Sequence, residues 1–267
     1  MDNILQIERL SVRYNKDRPA LDQVSLSVPR SSILVIVGES GSGKSTLIRA
    51  VIGLLPAGGE IVDGRILFQQ KDITHLPPSQ MRNLRGNSIA MIFQDARSSL
   101  DPRRTIGSQF VESLRSHSRL SVRDARKIAV EALINVSMPN PERVMNAYTV
   151  ALSGGMCQRI ALAMAISEYT QPLLLLADEP TSSLDATIQA QVVRQILGCR
   201  ERYGVSIVMV THNFGVAAYM ADSIIVMRGG RIVEWGERDQ VILHPQDEYT
   251  KELLDAVPKV AVSPGDA

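Results

Sequence analysis

Nine residues, Gly38-Glu39-Ser40-Gly41-Ser42-Gly43-Lys44-Ser45-Thr46, satisfy G-x-x-x-x-G-K-[ST] directly after the apolar run ILVIV. Small residues at that spacing let the backbone approach an anion closely, and successive N–H groups cradle phosphate. Lys44 would carry its charge to the β- and γ-phosphates of a nucleotide, and Ser45 a hydroxyl to Mg²⁺. A second group, Asp178-Glu179, closes the run LLLLADE. A carboxylate ending a buried strand can orient metal-bound water beside phosphates, a role that suits Asp178. Glu179, one residue on, is better placed to polarise an attacking water than to hold metal. Taken singly, the motifs could be a glycine-rich turn beside a lysine and a solvated acidic pair. Their co-occurrence favours a nucleotide site.

The elements that must position these residues are visible in the hydrophobic patterning. LQIERLSVRY and VSLSV alternate apolar and polar residues, as half-exposed strands do, and SILVIVG is continuous, as a buried strand is. After the loop, KSTLIRAVIGLL has helical spacing and is expected to stop at Pro56. Short apolar runs recur at RILF, IAMIF, LLLLAD, SIVMVTH and SIIVM with helices between several of them, the pattern of a mostly parallel α/β sheet. Between Asp101 and Ala151 the segments TIGSQFVESLRSH, SVRDARKIAVEALINV and PERVMNAY read as amphipathic helices, an expected helical subdomain inserted in the sheet domain. Gly229-Gly230 joins two β-rich runs in SIIVMRGGRIVEW and predicts a hairpin. KVAVSPGDA at the end reads as loose.

Composition excludes several classes. With 29 basic and 28 acidic side chains in 267 residues, no global field favours nucleic acid or anionic lipid. Cys157 and Cys199 are far apart, without CxxC spacing, and argue against a disulfide scaffold or structural zinc. Neither a signal peptide nor a membrane span is read, so a cytosolic setting is expected.

Between the phosphate loop and Asp178-Glu179 stands Leu152-Ser153-Gly154-Gly155-Met156, followed by CQRIALAMAI. This resembles the signature loop of ATP-binding subunits of ABC transporters, and the resemblance runs over essentially the whole chain. It implies an α/β P-loop NTPase fold of the ABC ATPase type. That fold has a mixed RecA-like sheet core, an N-terminal antiparallel β subdomain and an inserted α-helical subdomain. In this chain they would form a single domain over 1–257, with the helical subdomain at about 101–168 and a tail at 258–267.

The resemblance also assigns residues. Ser153, Gly154 and Gly155 would contact the γ-phosphate of ATP held by a second subunit, so that two chains sandwich two nucleotides. Tyr14 sits where an aromatic ring stacks on adenine, and Gln94 in MIFQD where a loop reaches Mg²⁺ and the membrane partner. Asp185 in SSLD lies in the loop that crosses the dimer interface, and His212 matches the histidine that senses the γ-phosphate. Catalysis is thus expected from Glu179, His212, Lys44 and Gln94, and Mg²⁺ binding from Ser45, Gln94 and Asp178. His75, His117 and His244 carry no such assignment. Three residues depart from the pattern: Met156 for the commoner glutamine, Cys157 where basic residues are frequent, and Asn213 where aspartate is usual.

RGNSIAMIFQDARSSLDPRRTIGSQ, ALSGGMCQRIALAMAI, ADEPTSSLDATIQAQ and HPQDEYTKELLDAVP resemble importers of oligopeptides, dipeptides and nickel. The spacing through GLLPAGGEIVDGRILF resembles the first of that branch's two ATPase subunits. The resemblance implies a heterodimer with a second ATPase subunit, two permease subunits, an extracellular solute-binding protein and no nucleic acid. The chain would lie peripherally on the cytoplasmic face of the inner membrane. A permease helix would dock between the sheet and the helical segment, near Gln94. The tail lacks the cysteines of an iron–sulfur site, so no cluster is expected, and this resembles nickel and metallophore members. The other readings are a soluble ABC ATPase acting on nucleic acid or ribosomes, a P-loop kinase or GTPase, and a non-catalytic regulator. The kinase or GTPase leaves LSGGM and SSLD unexplained.

Overall fold

The computed structural model describes residues 2–14, 19–116, 118–167, 169–182 and 184–256. His117, Ser183 and the expected tail at 258–267 lie outside the described residues. Among the described residues, ten strands form two sheets: β1 (Asn3–Tyr14), β2 (Leu21–Pro29), β3 (Ile33–Val37), β4 (Gly59–Phe68), β5 (Lys71–Asp72), β6 (Ile89–Ile92), β7 (Leu174–Asp178), β8 (Ser206–Val210), β9 (Ser223–Arg228) and β10 (Arg231–Glu237). The smaller sheet has the order β2-β1-β4-β5 and is antiparallel throughout. The larger has the order β10-β9-β3-β8-β7-β6, with only β10 antiparallel to its neighbour.

The continuous apolar runs became the central strands, because parallel strands covered on both faces need apolar residues at every position. β3, β7 and β8 are buried along their whole length. Their alternation still sorts the faces. Ile33, Val35 and Val37 point into one core, Leu34 and Ile36 into the other, and Leu175/Leu176 and Ile207/Val208 divide likewise. Each such buried aliphatic side chain stabilises the fold by about 1.5–3 kcal/mol.

One face of the large sheet is covered by the small sheet and α1 (Lys44–Val51). The other is covered by α3 (Ile106–Ser116), α4 (Val122–Asn135), α5 (Pro141–Met145), α6 (Gly154–Ala165), α7 (Ala186–Tyr203) and α8 (Phe214–Met220). Phe110, Ala125, Ala129 and Leu133 mark the apolar stripes of α3 and α4 that share this core. Ser121 caps α4 by accepting the Asp124 N–H at 3.1 Å. The hairpin at Gly229-Gly230 forms as expected, both glycines having positive φ.

Two differences from the sequence reading have local causes. α1 ends at Val51, short of Pro56, because Gly53 takes the left-handed conformation (φ +64°) and the Leu54 N–H turns back to Arg49 O at 2.8 Å. A short helix α2 (Pro78–Leu84) starts on the Pro77-Pro78 pair, whose fixed φ suits a first helical turn. The chain closes with α9 (Arg238–Leu243) and α10 (Glu248–Asp255).

Candidate active site

The strand order brings four loops together. β3, β8, β7 and β6 are successive parallel neighbours, in register at Ile36 with Val210, Asp178 with Val210 and Ile92 with Ala177. Their carboxyl ends carry the glycine loop, His212, Asp178-Glu179 and Gln94 respectively. Ligands of open α/β sheets bind beyond that edge.

Close approach dictates the glycines. A Cβ on Gly38 (φ +147°) would lie 2.2 Å from Met227 O, and one on Gly43 (φ +103°) 2.7 Å from Ala20 O. A Cβ on Gly41 (φ +82°) would meet no atom within 4 Å and would point into open space. The first helical bond of α1 runs from the Leu47 N–H to Gly43 O at 2.9 Å. The N–H groups of Lys44, Ser45 and Thr46 thus have no acceptor within the helix and remain for an anion.

Lys44 is 4% exposed, and its Nζ donates to Gly38 O and Glu39 O, both at 2.7 Å. Burial lowers its pKa from the usual lysine range, while Glu179, Asp178 and Glu39 oppose that shift. Ser45 Oγ donates to Asp178 Oδ1 at 2.7 Å. Asp178 is fully buried, and Arg49 Nη2 reaches its other oxygen at 3.4 Å. Both carboxylate oxygens are therefore held from α1.

Glu179 is in the left-handed region (φ +45°), uncommon for a residue with a side chain, and its N–H is fixed to Val210 O at 2.9 Å. That backbone aims the carboxylate at two neighbours. Gln94 Nε2 donates to Glu179 Oε2 at 3.4 Å, and His212 Nδ1 lies 3.2 Å from the same oxygen. Glu39, Ser40, Ser42 and Thr46 complete the loop; the Glu39 N–H donates to the Tyr249 hydroxyl at 3.0 Å.

The remaining expected residues make no hydrogen bond to this cluster among the described residues, though Gly154 borders it. Tyr14 ends β1 opposite Gly59, so close that a Cβ on Gly59 would be 2.6 Å from its ring. Ser153 caps α6, accepting the Met156 N–H at 3.3 Å, and Asp185 caps α7, accepting the Thr187 and Ile188 N–H groups at 3.0 Å. Gly155 rests on α7, where a Cβ would meet Ile188 Cγ2 at 2.7 Å, and Gly154 shares a small cleft with Gln94, Gln158 and Ser182. Asn213 caps α8 through the Gly215 and Val216 N–H groups, a position that asparagine and aspartate fill equally well. Cys157 is fully buried, and burial pushes its thiol pKa up.

Sequence reasoning missed Arg49 and Tyr249. Arg49 lies four residues after Ser45, on the same face of α1, and that spacing was a usable signal. Tyr249 had none.

The ABC transporter family model matches residues 21–182, from β2 past the Asp178-Glu179 pair. The chain belongs to the ABC transporter family. The dipeptide transport ATP-binding protein DppD of Bacillus subtilis strain 168 is 40% identical over 264 residues, 97% of this chain and 78% of that protein. The oligopeptide transport ATP-binding protein AppD of the same organism is 39% identical, over 97% of this chain and 80% of its own length. Among solved structures, the dimeric post-hydrolysis state of the ATP-binding cassette MJ0796 bound to ADP and phosphate superposes with a TM-score of 0.78 at 26% identity, over 88% of this chain and 98% of that one. CbiO1 of Clostridium perfringens, part of the ABC transporter complex cbiONQ, gives 0.77 at 27% identity over 91% and 92%. As an ABC ATPase, the chain binds ATP on an ABC cassette fold.

Proposed function

We propose that the chain is the ATP-hydrolysing subunit of an importer of dipeptides or oligopeptides. The observation that carries the hydrolytic role is the convergence of Gln94 and His212 on Glu179 Oε2, beside a phosphate loop whose lysine is already buried. The names of the relatives favour peptides over the nickel or metal-chelate cargo that the sequence also suggested.

The donors fit ATP with Mg²⁺: the N–H groups of Lys44, Ser45 and Thr46 have no helical acceptor and would serve an anion, and Ser45 Oγ and Asp178 Oδ1 are hard oxygens 2.7 Å apart. Ser45, Asp178 and Gln94 would hold the ion, which neutralises charge on the phosphates when bound. Lys44 and the loop N–H groups place the γ-phosphate in line with a water held by Glu179. As the water oxygen bonds to γ-phosphorus, its proton passes to Glu179 and the bond to the β-phosphate oxygen breaks, releasing ADP and phosphate. Lys44 and His212 donate hydrogen bonds to the charge that develops. The Tyr14 ring, at the end of β1, supplies the stacking surface for adenine.

Ser153, Gly154 and Gly155 serve the site of a second, homologous ATPase subunit, and Asp185 crosses between the two. Closure over ATP and reopening after hydrolysis would drive two permease subunits fed by an extracellular solute-binding protein. The groove of about 290 Å³ lined by Leu54, Met91, Phe93, Met164 and Tyr169 offers the permease a partly apolar seat. No helix among the described residues is long and apolar enough to cross a membrane. We assign the chain to the cytoplasmic face of the inner membrane through its permeases. Two cysteines cannot supply the four thiolates of an iron–sulfur cluster, so none is assigned.

The test is purification of the chain with its neighbours. The transporter reading expects two polytopic proteins and ATPase activity that Glu179→Gln abolishes while ATP binding persists. Unimpaired hydrolysis by Glu179→Gln in the assembled complex would sink the catalytic assignment. Stimulation by nucleic acid or ribosomes would favour the soluble ATPase instead.

A further inference from the structure

The peptide unit joining Gly38 to Glu39 is held at both ends. Its carbonyl accepts Lys44 Nζ at 2.7 Å, and its N–H donates to the Tyr249 hydroxyl at 3.0 Å. Tyr249 comes from α10, the last helix described, 210 residues along the chain. We infer that Tyr249 is a positioning residue for the phosphate loop: it orients the Gly38–Glu39 peptide, and through that peptide's carbonyl it sets Lys44.

The surroundings hold the tyrosine firmly. It is 3% exposed, and the Arg228 guanidinium lies 4.6 Å from the centre of its ring. Its own N–H is capped by Asp247 at 2.9 Å, and the N–H groups of Gln246 and Asp247 donate to the Glu234 carboxylate on β10 at 2.8 and 3.2 Å. Gly38 itself packs closely on β9, where a Cβ would lie 2.2 Å from Met227 O. A continuous set of bonds therefore runs from β10 through the start of α10 to the phosphate loop and its lysine. A hydrogen bond at each end of one peptide polarises it and strengthens both. The loop N–H taken by Tyr249 is one that cannot turn to phosphate, so the tyrosine also fixes which amides remain for the ligand.

This inference rests on reading the loop as the ATP site, and the test separates the two. Binding of a non-hydrolysable ATP analogue with Mg²⁺ to the full chain is measured by calorimetry, with Tm recorded in parallel. Tyr249→Phe keeps the ring and its Arg228 contact and removes only the hydroxyl. It should weaken binding about fivefold, the loss of one hydrogen bond, and move Tm by no more than about 2 °C. Thr250→Val is the control. Thr250 is fully buried in the same helix and its hydroxyl has no partner among the described residues, so binding should stay within about twofold of wild type. Wild-type binding with Tyr249→Phe within twofold of it overturns the inference alone, as does an equal loss in both variants. Absence of binding by the wild-type chain overturns the ATP reading and the inference with it.

Discussion

The groups assigned to the nucleotide fall into two regions that differ in what holds them. At the sheet edge, Ser45 bonds Asp178, Gln94 and His212 converge on Glu179, and Lys44 bonds the loop carbonyls while the Glu179 and Asp178 carboxylates favour its charge. At the helix ends, Ser153 and Asp185 spend their oxygens on the first turns of α6 and α7. The first region is a site assembled within one chain. The second is a pair of capped helix starts in which Gly154 borders open space while Gly155 packs on α7, and among the described residues it has no bond to the sheet-edge carboxylates. Mutations should therefore read out in the single chain for the first region and in the assembly for the second.

The largest expected effect is on the chemistry of the first region. Glu179→Gln keeps the shape and the Gln94 and His212 neighbours but cannot accept a proton, so turnover of the assembled complex should fall about 1000-fold. Nucleotide binding by the single chain should stay within a few-fold. Steady-state hydrolysis and equilibrium binding measured on the same preparation check both halves. A matching loss in binding would mean that Glu179 belongs to the binding surface and that the region is less divided in its roles than the geometry indicates.

Next comes stability. Asp178→Ala leaves Arg49 and Ser45 facing a buried gap with no acceptor. Breaking a fully buried ion pair costs about 3–5 kcal/mol, and because Arg49 is one-third exposed the loss here should be about 2–3 kcal/mol in urea unfolding. Arg49→Met should cost less, since Ser45 still serves Asp178 and the methionine retains much of the packing. Equal losses would show that the two oxygens of Asp178 are not held independently.

At the helix ends the expected losses are smaller and of another kind. Ser153→Ala and Asp185→Ala each remove a cap, worth about 1 kcal/mol. Neither should alter nucleotide binding by the single chain, whereas both should lower hydrolysis once two ATPase subunits are paired. Comparison of hydrolysis before and after pairing tests this, and a loss of binding in the isolated chain would move these residues into the first region.

The same contrast explains what could be read from the sequence. The glycine loop was legible because its spacing is contiguous and its positive φ at Gly41 and Gly43 is a local requirement, although the close approach of Gly38 is to Met227 on β9. Asp178 and Glu179 were legible because a run of buried residues announces a strand, and a polar residue at its end must lie at the sheet edge, where His212, assigned by family resemblance, also stands. Gln94, Ser153 and Asp185 came only through family resemblance, since a glutamine in a loop and a cap residue have ordinary local explanations. The end of α1 was misplaced because Pro56 is a strong stop signal, whereas Gly53 ends the helix earlier by adopting a conformation that helical spacing does not report. Tyr249 was invisible, because periodicity describes a helix face and says nothing of a partner 210 residues away.

The smallest effect is expected where the two regions meet. Asn213 follows His212 at the sheet edge, caps α8, and lines with Ala186, Gln189 and Tyr219 the groove between α8 and the start of α7. Asn213→Asp restores the charge that the family pattern carries. As a cap, aspartate accepts the same Gly215 and Val216 N–H groups, and its charge favours the helix N-terminus by no more than about 0.5 kcal/mol at an exposed position. Thermal unfolding should shift by about 1 °C or less, and hydrolysis by the assembled complex by less than about threefold, because the side chain is committed to α8 and leaves Glu179 to Gln94 and His212. A tenfold change in hydrolysis at unchanged Tm would show that charge at position 213 acts on the chemistry, and that the sheet-edge cluster extends one residue beyond His212 toward the helix ends.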